Sequence, residues 1–92
     1  MTIIDLAKFG PWIEVWRRRR LLLQTDDGPL LLALPTGKMS VSKSGRRKSI
    51  VFGSASRSAV QIIGSAATID AIANQILTNE RSGFAPKIAN TK

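Results

Sequence analysis

The residues of this chain that could do chemistry are few and of limited kinds. The 92-residue sequence has no histidine and no cysteine, which removes the usual general base at neutral pH and the usual soft metal ligands. Its carboxylates have structural interpretations: Asp26 and Asp27 precede Gly28 in a turn pattern, and Asp70 lies near the start of a helical pattern. We therefore predict that the protein is not an enzyme and uses no cofactor, no metal and no small-molecule substrate.

One stretch, G-K-M-S-V-S-K-S-G in residues 37–45, has lysines, serines and glycines at spacings that suggest nucleotide chemistry. A phosphate-binding loop needs a further glycine at position 32, which is Leu32, and a hydroxyl residue directly after Lys38, where Met39 stands. The stretch also resembles the K-M-S-K-S loop of class I aminoacyl-tRNA synthetases, but Val41 and Ser42 lengthen it, and the companion histidine motif is missing. The remaining interpretation is a strand with alternating apolar and serine faces that leads to a basic hairpin tip.

Positive charge is the dominant feature of the composition. Fourteen lysines and arginines oppose six acidic residues, and the net charge of +8 favours polyanions, acidic proteins or anionic membranes as partners. Two compact clusters carry much of this charge: Arg17, Arg18, Arg19 and Arg20 in the first, and Lys43, Arg46, Arg47 and Lys48 in the second. Because the guanidinium fork suits bidentate pairing with phosphate or carboxylate, we expect both clusters to contact a partner or polyanion.

Large apolar side chains near the clusters are candidate interface anchors. The alternation in W-I-E-V-W places Trp12 and Trp16 on one face of a strand beside the arginines, with core packing as the alternative. Residues 84–92 are expected to lack structure of their own, and Phe84 and Ile88 are expected to insert into a neighbouring subunit. Tryptophan and arginine are typical anchors of protein interfaces.

The elements that must position these residues are short. We predict a short helix within residues 2–10, about five antiparallel strands in hairpins, a C-terminal amphipathic helix packed on the sheet, and an extended basic tail. The helix is the clearest of these, because its apolar residues recur at helical spacing: Ile69, Ile72, Ala73 and Ile76. The fold class is therefore α+β, with one small domain in residues 1–83 and the tail in residues 84–92.

These features predict a non-catalytic structural or adaptor subunit of a larger assembly, with other protein subunits in multiple copies as its partners. Within that class, a bacteriophage virion component of the tail or baseplate is the leading hypothesis. It rests on general character alone, since the chain is short, basic, cysteine-free and rich in hairpins. The alternative is a DNA- or RNA-binding protein that contacts the phosphate backbone without reading sequence.

No targeting or membrane segment is predicted. The apolar run after the four arginines ends at Leu23 and soon meets Asp26 and Asp27, so it does not form the hydrophobic part of an export signal. Membrane-surface binding through residues 1–20 is disfavoured, because Gly10 and Pro11 interrupt any continuous amphipathic helix there. We expect the protein in a virion or in the host cytoplasm.

Overall fold

The computed structural model describes residues 1–53, 58–82 and 87–91. Within these residues, one helix packs against two four-stranded sheets, which confirms the α+β class and the C-terminal helix. The helix α1 spans Ala66–Ser82, and a 3-10 turn occupies Leu6–Lys8. The strands are β1 (Thr2–Asp5), β2 (Trp12–Trp16), β3 (Arg20–Thr25), β4 (Gly28–Ala33), β5 (Met39–Ser44), β6 (Arg47–Phe52), β7 (Val60–Ser65) and β8 (Lys87–Ala89).

Each sheet is built around antiparallel neighbours in the chain. Sheet A has the strand order β1-β7-β6-β5, and sheet B has the order β4-β3-β2-β8. All paired strands are antiparallel except β1 and β7, which run parallel. Hairpins β2–β3, β3–β4 and β5–β6 therefore form locally, whereas β1 and β8 join their sheets over long sequence separations.

Two hairpin turns have residue types that suit their backbone geometry. Gly45 opens the β5–β6 turn with φ 63°, the conformation required at the first central position of a type II′ turn. In the β3–β4 hairpin, Asp26 and Asp27 form the turn, and Gly28 follows as the first residue of β4 with φ 114°. Both hairpins were predicted from the sequence, but the β3–β4 turn, predicted at Asp27-Gly28, lies one residue earlier, at Asp26 and Asp27.

The core lies between the inner faces of the two sheets and one side of α1. Ser65 caps the start of α1, because its Oγ accepts a hydrogen bond from the backbone N–H of Thr68 at 3.3 Å. Helical spacing then turns one apolar stripe of α1 toward both sheets. The buried side chains include Ile69, Ile72 and Ile76 on α1, Ile50, Phe52 and Ile62 on sheet A, and Ile13, Val15, Leu21 and Leu23 on sheet B.

The prediction of a short N-terminal helix is wrong. Thr2–Asp5 is a strand, and only the 3-10 turn follows it. Two adjacent β-branched residues favour the strand: Ile4 packs against the core, while Ile3 is exposed on the opposite face. The side chain of Asp5 then accepts a hydrogen bond from the N–H of Ala7 at 3.1 Å and caps the turn.

The prediction of about five strands and an unstructured tail also needs correction. Lys87–Ala89 forms β8, which pairs antiparallel with β2 and places Ile88 opposite Ile13. Ile88 is 7% exposed, and the Asn90 that follows it is also buried. Residues 87–91 are therefore part of the folded body, held there by an apolar side chain and by backbone pairing.

Candidate functional site

Two half-exposed tryptophans lie on the outer face of sheet B. Trp12 and Trp16 are 51% and 45% exposed, whereas Ile13 and Val15 between them are fully buried. Strand alternation produces this separation, as the sequence predicted, and core packing of the tryptophans is excluded. Four residues of strand place the two indole side chains about 13 Å apart along β2.

The neighbouring strands extend this face. Trp16 lies directly opposite Arg20 of β3, and Arg20 lies opposite Ala33 of β4. One row further along, Glu14 of β2 lies opposite Leu22, which in turn pairs with the 52% exposed Leu31. On the other side of β2, Lys87 and Ala89 of β8 lie opposite Glu14 and Trp12. We call these residues the outer face of sheet B: Trp12, Glu14, Trp16, Arg20, Leu22, Leu31, Ala33, Lys87 and Ala89.

Sequence reasoning found only part of this face. The apolar runs of β3 and β4 place leucines at consecutive positions, so they contain no alternation that tells an exposed leucine from a buried one. Leu22 and Leu31 were therefore missed. Only the register of β4 on β3 shows that these two side chains share a face with the tryptophans.

Arg17, Arg18 and Arg19 form the β2–β3 turn, and Arg20 is the first residue of β3. Arg18 and Arg19 have φ values of 61° and 55°, a left-handed conformation that residues other than glycine and asparagine rarely adopt. The guanidinium of Arg19 donates to the carbonyl oxygens of Pro35 at 3.2 Å and Gly37 at 2.8 Å. Arg19 thus fixes the turn to the β4–β5 connection, and its role in this structure is internal.

The other three arginines of the cluster face solvent. Arg17, Arg18 and Arg20 are exposed and make no ion pair with the described side chains. Lys38, also exposed, follows Gly37 in the connection that Arg19 holds against the turn. We call Arg17, Arg18, Arg20 and Lys38 the cationic end, and it lies beside Trp16 at one edge of the outer face of sheet B.

The second basic cluster is half neutralised within the chain. Arg47 Nη2 lies 2.7 Å from Asp5 Oδ1, and Lys48 Nζ lies 2.8 Å from Asp70 Oδ1. The hydrogen bond from Arg47, helped by the backbone N–H of Ala7, lowers the pKa of Asp5. Lys43 and Arg46 at the hairpin tip remain exposed.

The structure does not bring the two basic clusters together. Lys48 pairs with Asp70 near the start of α1, whereas near the end of α1 the side chain of Asn79 donates to the Val15 carbonyl oxygen at 2.7 Å. Nine residues of helix separate these attachments by about 14 Å. The clusters therefore form two separate surfaces, and only the first adjoins the tryptophans.

The two other predicted anchors are not part of this surface. Ile88 is buried in the core of its own chain, so its position does not fit insertion into a neighbouring subunit. Phe84 lies outside the described residues.

Among the described residues, no group of three or more acidic residues could hold a metal ion. A shallow depression of about 330 Å³ has Lys8 and Asp26 among its lining residues, and the Thr25 hydroxyl there already donates to the Gly28 carbonyl oxygen at 2.6 Å. Nor is any helix in residues 1–53, 58–82 and 87–91 both long enough and apolar enough to cross a lipid bilayer.

No protein-family model, no curated protein and no solved structure matches this chain. The chemistry of its surface is therefore the basis for assigning a function.

Proposed function

We propose that the protein is a non-catalytic adaptor subunit, which docks a partner protein on the outer face of sheet B. One observation carries this proposal: the only two tryptophans of the chain are both about half exposed on that face, and Trp16 lies opposite Arg20. Tryptophan and arginine are the side chains that most often dominate protein interfaces, at 2 kcal/mol or more each on truncation to alanine, as a rough guide.

The composition of the face supports a protein partner over a nucleic acid. Leu22 and Leu31 widen the apolar area across three strands, with Arg20 at one edge of it. Glu14 lies on the same face between the two tryptophans, and the exposed Lys87 of β8 lies opposite it, so this row carries both signs of charge and is not the uniformly positive surface that suits a phosphate backbone. A protein surface can meet this carboxylate with a donor or a cation.

Nucleic-acid binding is the second candidate, and the cationic end is the observation that favours it. Arg17, Arg18, Arg20 and Lys38 are exposed, and none makes an ion pair with a described carboxylate. Contacts from these side chains to phosphates would give binding without sequence preference. Four neutralised phosphates on a duplex predict a log–log salt slope of about −3.6.

The kind of assembly to which the subunit belongs is a separate hypothesis. A bacteriophage particle, in its tail or baseplate, remains our leading hypothesis because the chain is short, basic and free of cysteine. That hypothesis rests on general character and on no motif.

Photo-crosslinking in the cells in which the protein is naturally made tests the proposal. A photoreactive phenylalanine derivative replaces Trp16 in one variant and Leu77 in the control, since Leu77 is a 52% exposed side chain on α1. We expect one dominant protein adduct from position 16, absent from position 77 and reduced when Arg20 is also changed to Gln. Equal adduct patterns from both positions would contradict docking on this face.

A sizing experiment with the purified chain separates the second candidate. The chain is run alone and with duplex DNA, at low and at high salt, while its tryptophan fluorescence is recorded. A complex that forms at low salt and dissociates at high salt favours phosphate binding. A chain unaffected by DNA at both salt concentrations removes the second candidate.

A further inference from the structure

The open edge of β4 differs from the other sheet edges in the described residues. Sheet A ends in β1 and β5, and sheet B ends in β4 and β8. Charged residues occur in three of these strands: Asp5 in β1, Lys43 in β5 and Lys87 in β8. The sequence of β4, G-P-L-L-L-A, carries no charge over six residues, and its Leu30 and Leu31 are 42% and 52% exposed. Long, apolar and uncharged edges tend to pair with another strand.

The backbone of β4 is oriented for such pairing. The N–H of Leu34 points inward and donates to the Arg19 carbonyl oxygen at 2.8 Å. Because successive residues of an antiparallel edge strand point their backbone groups alternately, the N–H groups of Leu31 and Ala33 face the open edge. Pro29 has no N–H, but it stands near the start of the strand, so it leaves these two donors free to pair.

We propose that β4 pairs antiparallel with β4 of a second copy of this chain, which joins two copies of sheet B into one continuous sheet. Antiparallel pairing about a two-fold axis is self-complementary and closes after two copies, so it gives a dimer. It lets the Leu31 and Ala33 N–H groups of each copy meet carbonyl oxygens of the other.

Charge complementarity selects a second copy as the occupant. Along the β3–β4 hairpin, the turn of Asp26 and Asp27 lies at one end, and Arg20 with the cationic end lies at the other. Antiparallel pairing places the acidic turn of each copy beside the cationic end of the other. Opposite charges on neighbouring strands stabilise the pairing, whereas a partner strand in the parallel sense would set like charges side by side.

The dimer uses the backbone edge of β4, whereas the proposed docking uses side chains of the outer face of sheet B, and Leu31 and Ala33 belong to both. A two-fold axis perpendicular to the joined sheet puts the outer faces of both copies on the same side. Two pairs of tryptophans would then face the same partner, and bivalent contact raises apparent affinity without any new kind of contact.

Light scattering and sedimentation of the purified full chain, over about a hundredfold dilution series, test the proposal. We expect the unchanged chain to be a concentration-dependent dimer. Leu31→Pro removes the central edge N–H, and its matched control is Val41→Pro, an exposed residue of the other six-residue edge strand. We expect Leu31→Pro to weaken the dimer at least about tenfold and Val41→Pro to leave it unchanged.

A second pair of variants covers a failure of Leu31→Pro to fold. Leu31→Lys puts two lysines near the two-fold axis, and Leu77→Lys makes the same change at an equally exposed leucine on α1. We expect only Leu31→Lys to give monomers, with thermal unfolding showing that both variants are folded.

Four outcomes would overturn the pairing. The first is a monomer at every concentration, and the second is a folded Leu31→Lys variant that still dimerises. The third is a Val41→Pro variant that dissociates as much as Leu31→Pro. The fourth is loss of the dimer in the double variant Trp12→Ala/Trp16→Ala. In the first two cases, crosslinking from position 16 still decides the docking proposal, so the two can fail separately.

Discussion

The side-chain amide of Asn90 donates a hydrogen bond to the carbonyl oxygen of Leu6 at 2.8 Å, across 84 positions of sequence. The same amide donates to the Gly10 carbonyl oxygen at 2.9 Å, and the Asn90 N–H donates to the Pro11 carbonyl oxygen at 2.8 Å. These three bonds fix the C-terminal strand against the segment that leads into β2. The strand that carries the tryptophans is therefore held in place by residues from both ends of the described chain.

We predict that Asn90→Ala lowers the free energy of unfolding by about 1–3 kcal/mol, because the carbonyl oxygens of Leu6 and Gly10 both lose the amide donor of Asn90, although the Leu6 oxygen keeps the N–H of Phe9. Urea unfolding followed by circular dichroism measures the change. Asn74→Ala, at an exposed position of α1, is the control and should change stability little. Equal stability of the two variants would show that the Asn90 contacts do not hold β8.

Gly10 is required for a close approach of two segments. A Cβ atom at this position would lie 2.8 Å from Cβ of Gln24, whose carbonyl oxygen accepts the Gly10 N–H at 2.9 Å. We predict that Gly10→Ala costs about 1–3 kcal/mol of stability. Adding Gln24→Gly removes the clash and should recover part of the loss. A double variant no more stable than Gly10→Ala would contradict the steric explanation.

The ion pair of Asp5 with Arg47 predicts an acid dependence of stability. The pKa of Asp5 is lowered in the folded state, so the folded protein binds this proton less tightly than the unfolded chain. The stabilisation is therefore complete above the ordinary aspartate pKa and is lost as the pH falls through the lowered value. Arg47→Gln should flatten the decline of unfolding free energy in acid, whereas Arg46→Gln, at the same hairpin tip, should leave it unchanged.

Arg18 occupies a left-handed conformation that glycine adopts without strain. We predict that Arg18→Gly raises the unfolding free energy by up to about 1 kcal/mol, because relief of strain exceeds the added freedom of the unfolded chain. Arg17→Gly, at a neighbouring position without positive φ, should lower it instead. If Arg18→Gly also weakens binding of the partner protein or of DNA, Arg18 contributes to that binding at the expense of folding stability.

For the nucleic-acid alternative, single charges should change the salt dependence by predictable amounts. Arg20→Gln should reduce the magnitude of the duplex salt slope by about 1, since one phosphate contact is lost. Arg46→Gln should leave the slope unchanged if binding uses only the cationic end. Fluorescence titrations over a range of salt concentrations measure both slopes, and equal effects of the two substitutions would assign binding to general charge.

The sequence by itself determined the features that depend on near neighbours. Hydrophobic alternation predicted that Trp12 and Trp16 share one face of a strand, turn residues around Gly28 and Gly45 predicted two hairpins, and isoleucine spacing predicted α1. The absence of histidine and cysteine excluded imidazole and thiolate chemistry. These signals are reliable because turn geometry and side-chain periodicity act over a few residues.

Only the tertiary structure decided the pairings between distant segments. The parallel pairing of β1 with β7 and the pairing of β8 with β2 have no local signal in the sequence. The residues of β1 were therefore predicted as a helix and those of β8 as part of an extended tail. Register likewise decided that Leu31 lies on the same face as Trp16, and ion pairs decided that Arg47 and Lys48 are partly neutralised. The physical reason is that the segments packed beside a strand decide which of its side chains are buried and which of its charges are neutralised. Those segments can be distant in sequence.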